Sequence, residues 1–232
     1  MNSLKFLMIE TGTEICSVAL SNGNSIVDEI IIIEPRSHTR VLGSIIDDIL
    51  KRNSVSIHDC DAVAVSEGPG SYTGLRVGVS AAKGLCYGSG KPLIAVNSLL
   101  VIARIAIEKS ILPSQDAHIY SVLDARRDEV YLRRFFADGT PFSETEAIVL
   151  TPNLFDDVLS KNKILFAGDA AEKTSAIIKH PNAFFEPIVS VASGMLAPAL
   201  QAFNKGLFVD TAYFEPFYLK DFFIGTTKKR LF

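Results

Sequence analysis

The chain has 232 residues, 48% of them apolar, with a mean hydropathy of +0.26, a formal charge of −3 and a pI near 5.8. That much apolar chain supports one or two domains with a packed core and excludes an intrinsically disordered protein. The acidic balance argues against a protein that holds nucleic acid by its own electrostatics, because the basic cluster is confined to Lys228-Lys229-Arg230.

Cys16, Cys60 and Cys86 sit in apolar surroundings without paired spacing, which reads as reduced core cysteines of a cytoplasmic protein. Met1-Asn2-Ser3-Leu4-Lys5 runs straight into a strand pattern, so no signal peptide is expected. The longest apolar helix candidate, residues 99–107, is interrupted by Arg104 and is too short to span a bilayer, so no membrane partner is expected.

Residues 6–10 form a short apolar run that ends at Thr11-Gly12-Thr13, a strand and then a turn. Residues 15–20 read as a second strand and residues 26–33 as a third, joined by the hairpin signal Asn22-Gly23-Asn24. Residues 37–53 show helical spacing: Val41, Leu42, Ile45, Ile46, Ile49 and Leu50 make one stripe, with Asp47, Asp48 and Lys51 off it. A buried strand at 62–65, a helix at 73–88, a buried parallel strand at 92–96 and a helix at 98–109 follow, with Ser98 as the N-cap.

The second half begins in the same way. Residues 118–123 and 130–136 pair around a turn at 124–129, and 147–150 is a third strand. A short helix at 153–160, a strand at 164–167, a helix at 170–179 and a last helix at 191–203 follow. Pro198 should kink or interrupt the last helix, and Lys205-Gly206 suits its end. The element order recurs without residue-level repetition, which points to two related lobes, residues 1–108 and 109–232, rather than a solenoid. The last helix is free to pack back on the first lobe, which the family resemblance given below makes the expected dimerisation lobe.

The segment Ser66-Glu67-Gly68-Pro69-Gly70-Ser71-Tyr72-Thr73-Gly74-Leu75-Arg76-Val77-Gly78 leads from a strand through a glycine-rich turn into a helix. It serves either as a structural turn or as a surface loop that meets a partner or a phosphate, since backbone amides at a helix start suit an anion. Along the helix, Gly74, Gly78, Ala81, Ala82 and Leu85 fall on one side, and Arg76, Ser80, Lys83 and Tyr87 on another. Such a smooth face either packs inside its own lobe or admits a second helix closely.

Gly70-Ser71-Tyr72-Thr73-Gly74 is not the Gly-x-Ser-x-Gly elbow of a hydrolase. His38, near a helix start, fits a capping or surface role; His58, His118 and His180 are scattered and form no metal pattern. Arg126, Arg127, Arg133 and Arg134 surround one hairpin, either as solvated charge balanced by Asp124, Asp128 and Glu129 or as phosphate contacts. Residues 225–232 have no apolar period to dock them, so the tail should be mobile.

Five segments together resemble the TsaB (YeaZ) family, bacterial proteins of tRNA threonylcarbamoyladenosine formation. They are residues 6–20, residues 68–78 with Ala81-Ala82-Lys83-Gly84-Leu85, residues 92–99, residues 123–131, and Pro216-Phe217-Tyr218-Leu219-Lys220. The resemblance implies an α/β, two-lobed actin-like ATPase fold, ribonuclease H-like, each lobe a mixed sheet with flanking helices.

The resemblance also implies a non-catalytic scaffold that dimerises with a catalytic TsaD-type subunit and with itself when alone. A TsaE-type ATPase would be a further partner, and tRNA would be met through the complex. The expected partner interface is Val41, Ile45, Gly74, Val77, Gly78, Ala81, Ala82 and Leu85.

TsaD-type relatives hold a metal with a His-x-x-x-His helix. Ser98 and Ile102 stand at those two positions, so no metal and no catalytic residue is expected. Glu10-Thr11-Gly12-Thr13 matches a degenerate phosphate-binding turn, with Glu10 in place of aspartate. Ala125 and the single glycine of Gly168-Asp169-Ala170-Ala171 stand where closer nucleotide approach would favour glycine. No cofactor of its own is expected, a nucleotide between subunits being the alternative. The rival from the same superfamily is an enzyme, an ATP-dependent small-molecule kinase or a metallopeptidase.

Overall fold

The computed structural model describes residues 3–219. β1 (Phe6–Glu10), β2 (Cys16–Asn22) and β3 (Ser25–Ile32) form the antiparallel meander expected from the apolar runs and the Asn22-Gly23-Asn24 turn. Gly23 takes the left-handed φ of 62° that its tight turn requires. α1 (His38–Arg52) lays Leu42, Ile45, Ile46 and Ile49 over this meander. β4 (Ala62–Gly68) and β5 (Leu93–Asn97) then add in parallel, giving the sheet order β3-β2-β1-β4-β5. β1 is thus central, and all five of its residues are buried.

α2 (Tyr72–Ser89) links β4 to β5. The Ser71 hydroxyl accepts from the Gly74 amide at 3.3 Å to cap its start, and Gly90 ends it at a left-handed φ of 70°. α3 (Ser98–Glu108) is capped by Asn97, whose side chain accepts from the amides of Leu99 and Leu100. Ser98, the expected cap, lies inside the first turn and is buried, because the helix begins directly from the strand end.

β6 (His118–Asp124), β7 (Glu129–Phe135), β8 (Glu146–Val149), β9 (Ile164–Ala167) and β10 (Ala183–Glu186) form a second sheet of order β10-β9-β6-β7-β8. Its topology repeats the first: the leading strand is central, the next two strands continue from it as an antiparallel meander, and the later two add on its other side in parallel. α4 (Asp156–Leu159) and α5 (Ala171–Ile177) lie in its connections. β10 carries no strand signal of its own. It is held by parallel pairing to β9 and by Phe185 stacked on Phe166, centroids 5.3 Å apart.

α3 joins the two sheets: Leu99, Ile102 and Ala106 share one core with Met8 and Ile94 of the first sheet and Ile119, Leu123 and Phe135 of the second. The expected helix over 191–203 is a 3-10 turn, Ala192–Met195, followed by α6 (Leu196–Asn204). Pro198 falls in the first turn of α6, where its missing N–H leaves no bond unmade, and the break in the expected helix lies before it, between the 3-10 turn and α6. α6 packs on β1 and β5, with Phe203 5.3 Å from the ring of Phe6.

Beyond α6 the Val209 amide bonds Leu93 O at the edge of β5, and the chain then runs along α2. There Lys83 donates to the carbonyls of Ala212 and Phe214. The Tyr218 ring lies against that of Tyr72, centroids 4.8 Å apart and tilted by 39°, and its hydroxyl accepts from Arg76 Nε. The tail at 225–232, and Lys220, lie outside the described residues. No described helix is long and apolar enough to cross a membrane. The architecture is the two-lobed α/β one expected, with a mixed five-stranded sheet in each lobe.

Candidate functional site

β1 ends in the middle of the first sheet, and the chain turns there through Glu10, Thr11, Gly12 and Thr13, all buried. Glu10 Oε1 accepts from the Gly12 amide at 2.6 Å, and Oε2 accepts from the Ser190 hydroxyl at 2.6 Å. Burial pushes the Glu10 carboxyl up; the bonds from Ser190 and Gly12, and to a smaller degree the nearby Ser66 and Thr11, work against that shift.

The Gly12 carbonyl accepts from the Ser71 amide at 2.7 Å. His38 is buried, with Nε2 3.0 Å from the Thr13 carbonyl, so its ring braces the turn rather than facing solvent. The turn expected to reach a phosphate therefore has its glycine amide and both carboxylate oxygens already engaged.

The small residues leading into and along α2 explain that closure. A Cβ on Gly70 would lie 2.2 Å from Gly12 O, on Gly74 2.0 Å from Thr11 O, and on Gly78 2.1 Å from Thr11 Oγ1. Glycine is required there because the turn itself presses on the helix. Of the expected interface residues, Gly74, Gly78 and Ala82, with Ile45 of α1, are buried inside the lobe.

Val41, Val77, Ala81 and Leu85 are half-buried at the edge of the same core. The outward small positions are different ones: Ser80, Gly84 and Gly88 on α2 and Gly43 on α1 are exposed, and a Cβ on any of these three glycines would meet nothing within 4 Å. Two interleaved small-residue stripes share one helix, and only packing says which one faces inward.

Ser98 and Ile102 are fully buried, Ile102 within the core between the sheets. Among the described residues no group of three or more His, Cys, Asp or Glu is arranged to hold a metal.

On the second lobe, the Asp124 amide donates to Asp169 Oδ1 at 2.9 Å, and Asp124 Oδ1 accepts from Lys173 at 2.6 Å. The Asp169 carboxyl is pushed up to about 6, first by desolvation and then by the like charges of Asp124 and Glu14. The Asp124 amide bond and Lys173 oppose the shift.

A Cβ on Gly168 would lie 1.9 Å from Val122 O, so that glycine answers a packing need. The four arginines do not form one patch. Arg134 pairs with Glu146 at 2.5 Å and Arg133 Nε reaches Ser143 O at 3.3 Å, while Arg126 and Arg127 are exposed at left-handed φ of 69° and 51°.

Ser190, Ser17 and Glu29 gave no sequence signal. Ser190 meets Glu10 from 180 positions away, and only the fold brings them together.

A family model described as TsaD: tRNA N6-adenosine threonylcarbamoyltransferase matches residues 29–213. Over 230 residues the chain is 31% identical to tRNA threonylcarbamoyladenosine biosynthesis protein TsaB of Escherichia coli (strain K12), covering 94% of this chain and 95% of that protein. This chain belongs to the TsaB family of tRNA threonylcarbamoyladenosine biosynthesis proteins.

The Haemophilus influenzae TsaB is 36% identical over 133 residues, 56% of this chain and 53% of that protein. Among solved structures, YeaZ from Pseudomonas aeruginosa superposes with a TM-score of 0.80 at 25% identity, covering 93% of this chain and all of that one. The TsaB assignment accords with the two-lobed architecture and with residues 6–20 and 68–78, which build the closed turn and the helix that seals it.

Proposed function

We propose that this chain is a non-catalytic subunit in the formation of N6-threonylcarbamoyladenosine at the tRNA adenosine next to the anticodon, acting by positioning or activating a TsaD-type catalytic subunit. The observation that carries this reading is the closed turn at residues 10–13. Glu10 accepts from the Gly12 amide and the Ser190 hydroxyl, so the glycine amide that a nucleotide phosphate would use is already bonded to a carboxylate of the chain itself.

The serine and isoleucine at 98 and 102 supply no metal ligand, which argues against a metallopeptidase. A kinase is disfavoured by the same closed turn. An ATP-turnover assay on the purified chain separates that rival, which requires sustained hydrolysis.

The docking surface we assign is the outward edge of α1 and α2: Val41, Val77, Ala81 and Leu85, with Gly84 and Gly88 allowing close approach. The TsaD-type subunit would occupy it in the complex and a second copy of this chain in its absence. A TsaE-type ATPase would join in the cytoplasm, and tRNA would be contacted through the assembly.

The test is co-purification and tRNA modification with the TsaD-type partner, using Val77→Glu and Ala81→Glu. Both variants should stay folded, because their side chains reach solvent, and should lose partner binding and modification together. Val79→Glu is the contrasting control: Val79 is core, and a charge there should unfold the chain. Folded Val77→Glu and Ala81→Glu chains that still bind and support modification would overturn the assignment of this surface. A full complement of modification without this chain would overturn the function.

A further inference from the structure

The connection from β10 to α6 leaves the second sheet and lies across the first. Its polar groups meet three neighbouring strands there. The Ser190 hydroxyl donates to Glu10 Oε2 on β1 at 2.6 Å, the Ala192 amide to Ser17 Oγ on β2 at 2.9 Å, and the Ser193 amide to Glu29 Oε1 on β3 at 2.8 Å.

Apolar anchors flank these bonds. Ile188, Ala192 and Met195 are buried in the core that contains Met8 and Ala19. Gly194 is pressed against α3, where a Cβ would stand 2.7 Å from Ile105 Cγ1. Ser190 and Glu10 are both fully buried.

A buried carboxylate is costly unless donors surround it. Here the donors are the amide of its own turn and a hydroxyl delivered from the far end of the chain. An incoming phosphate would need that same amide and would meet the carboxylate already on it.

We propose that residues 188–195 are a built-in plug, which closes the turn at residues 10–13 with the chain's own groups and ties the second lobe to the first without a nucleotide. Glu10 takes the position of the anion, Ser190 supplies its second donor, and Ser17 and Glu29 hold the plug in register. The inference concerns the isolated chain and stands apart from the partner proposed above, so partner-binding results do not decide it.

Hydrogen exchange on the full-length protein, with and without pyrophosphate or magnesium ATP, tests the proposal. In the wild type neither ligand should slow exchange in residues 10–13 or 188–195. Ser190→Ala should remain folded and exchange residues 188–195 about tenfold faster, the loss of a hydrogen bond to a buried carboxyl.

Glu10→Gln should stay within about twofold of the wild type, because its amide oxygen still accepts from Gly12 and its NH2 can donate to Ser190. Two results would overturn the plug: ligand protection of residues 10–13 in the wild type, or unchanged exchange of residues 188–195 in folded Ser190→Ala. The wild-type arm decides even if the variant fails to fold.

Discussion

Gly78 and Gly84 lie on one helix, yet the same substitution should act on them in opposite directions. An alanine in a helix interior gains about 1 kcal/mol over glycine. At Gly84 nothing lies within 4 Å of the new methyl group, so that gain is realised whole. Gly84→Ala should raise Tm by roughly 2–4 °C for a chain of this size.

At Gly78 the methyl group would lie 2.1 Å from Thr11 Oγ1. Overpacking of this kind costs about 1–3 kcal/mol, which outweighs the helical gain, so Tm should fall by several degrees. The clash is with a side chain, which makes it removable. Thr11→Ala alone should be mild, since the Thr11 hydroxyl is buried without a hydrogen-bond partner.

Combined with Gly78→Ala, Thr11→Ala should recover about 1 kcal/mol or more of the loss as a coupling energy. Gly74→Ala should not be rescued in this way, because its methyl group meets the Thr11 backbone carbonyl at 2.0 Å. The assay is thermal and urea denaturation at low protein concentration, where self-association makes little contribution. If Gly78→Ala raises Tm as Gly84→Ala does, the inward stripe is not packed on the turn and the account of the site fails.

Asp169→Asn should stabilise the chain near neutral pH. The folded carboxyl titrates at about 6 against an ordinary 3.8, so the folded state holds the extra proton between those values and stability falls as pH rises through them. Because Asp169 keeps solvent contact, the gain should be about 1 kcal/mol above pH ~6.5 and vanish below pH ~4; an equal gain at both ends would exclude charge as the cause.

Burial pushes the thiols of Cys16, Cys60 and Cys86 up to about 11, so all three should resist alkylation near pH 8 in the native protein and react fully in denaturant. Fast native labelling of any one would show that its lobe opens. Elemental analysis of the purified protein should find no stoichiometric zinc or iron; a full equivalent, lost on mutating a defined ligand set, would refute the reading of Ser98 and Ile102.

Periodicity and turn chemistry were enough to place most elements of both sheets. Alternation with a glycine turn specifies a hairpin, and a one-sided apolar stripe specifies a surface helix, whatever the rest of the chain does. The family resemblance likewise rested on local segments, and the turn at residues 10–13 and the Ser98 and Ile102 positions are legible one residue at a time.

Tertiary structure decided what periodicity leaves undetermined. β10 exists because β9 offers it an edge and Phe166 a ring to stack on, a non-local stabilisation with no local pattern. The stripe of Gly74 and Gly78 and that of Gly84 and Gly88 look alike in sequence, and only the position of Thr11 turns one of them inward. Glu10 reads as a phosphate-turn residue until Ser190 arrives from 180 residues away, because the burial of a carboxylate belongs to the assembled core and not to any segment of the chain.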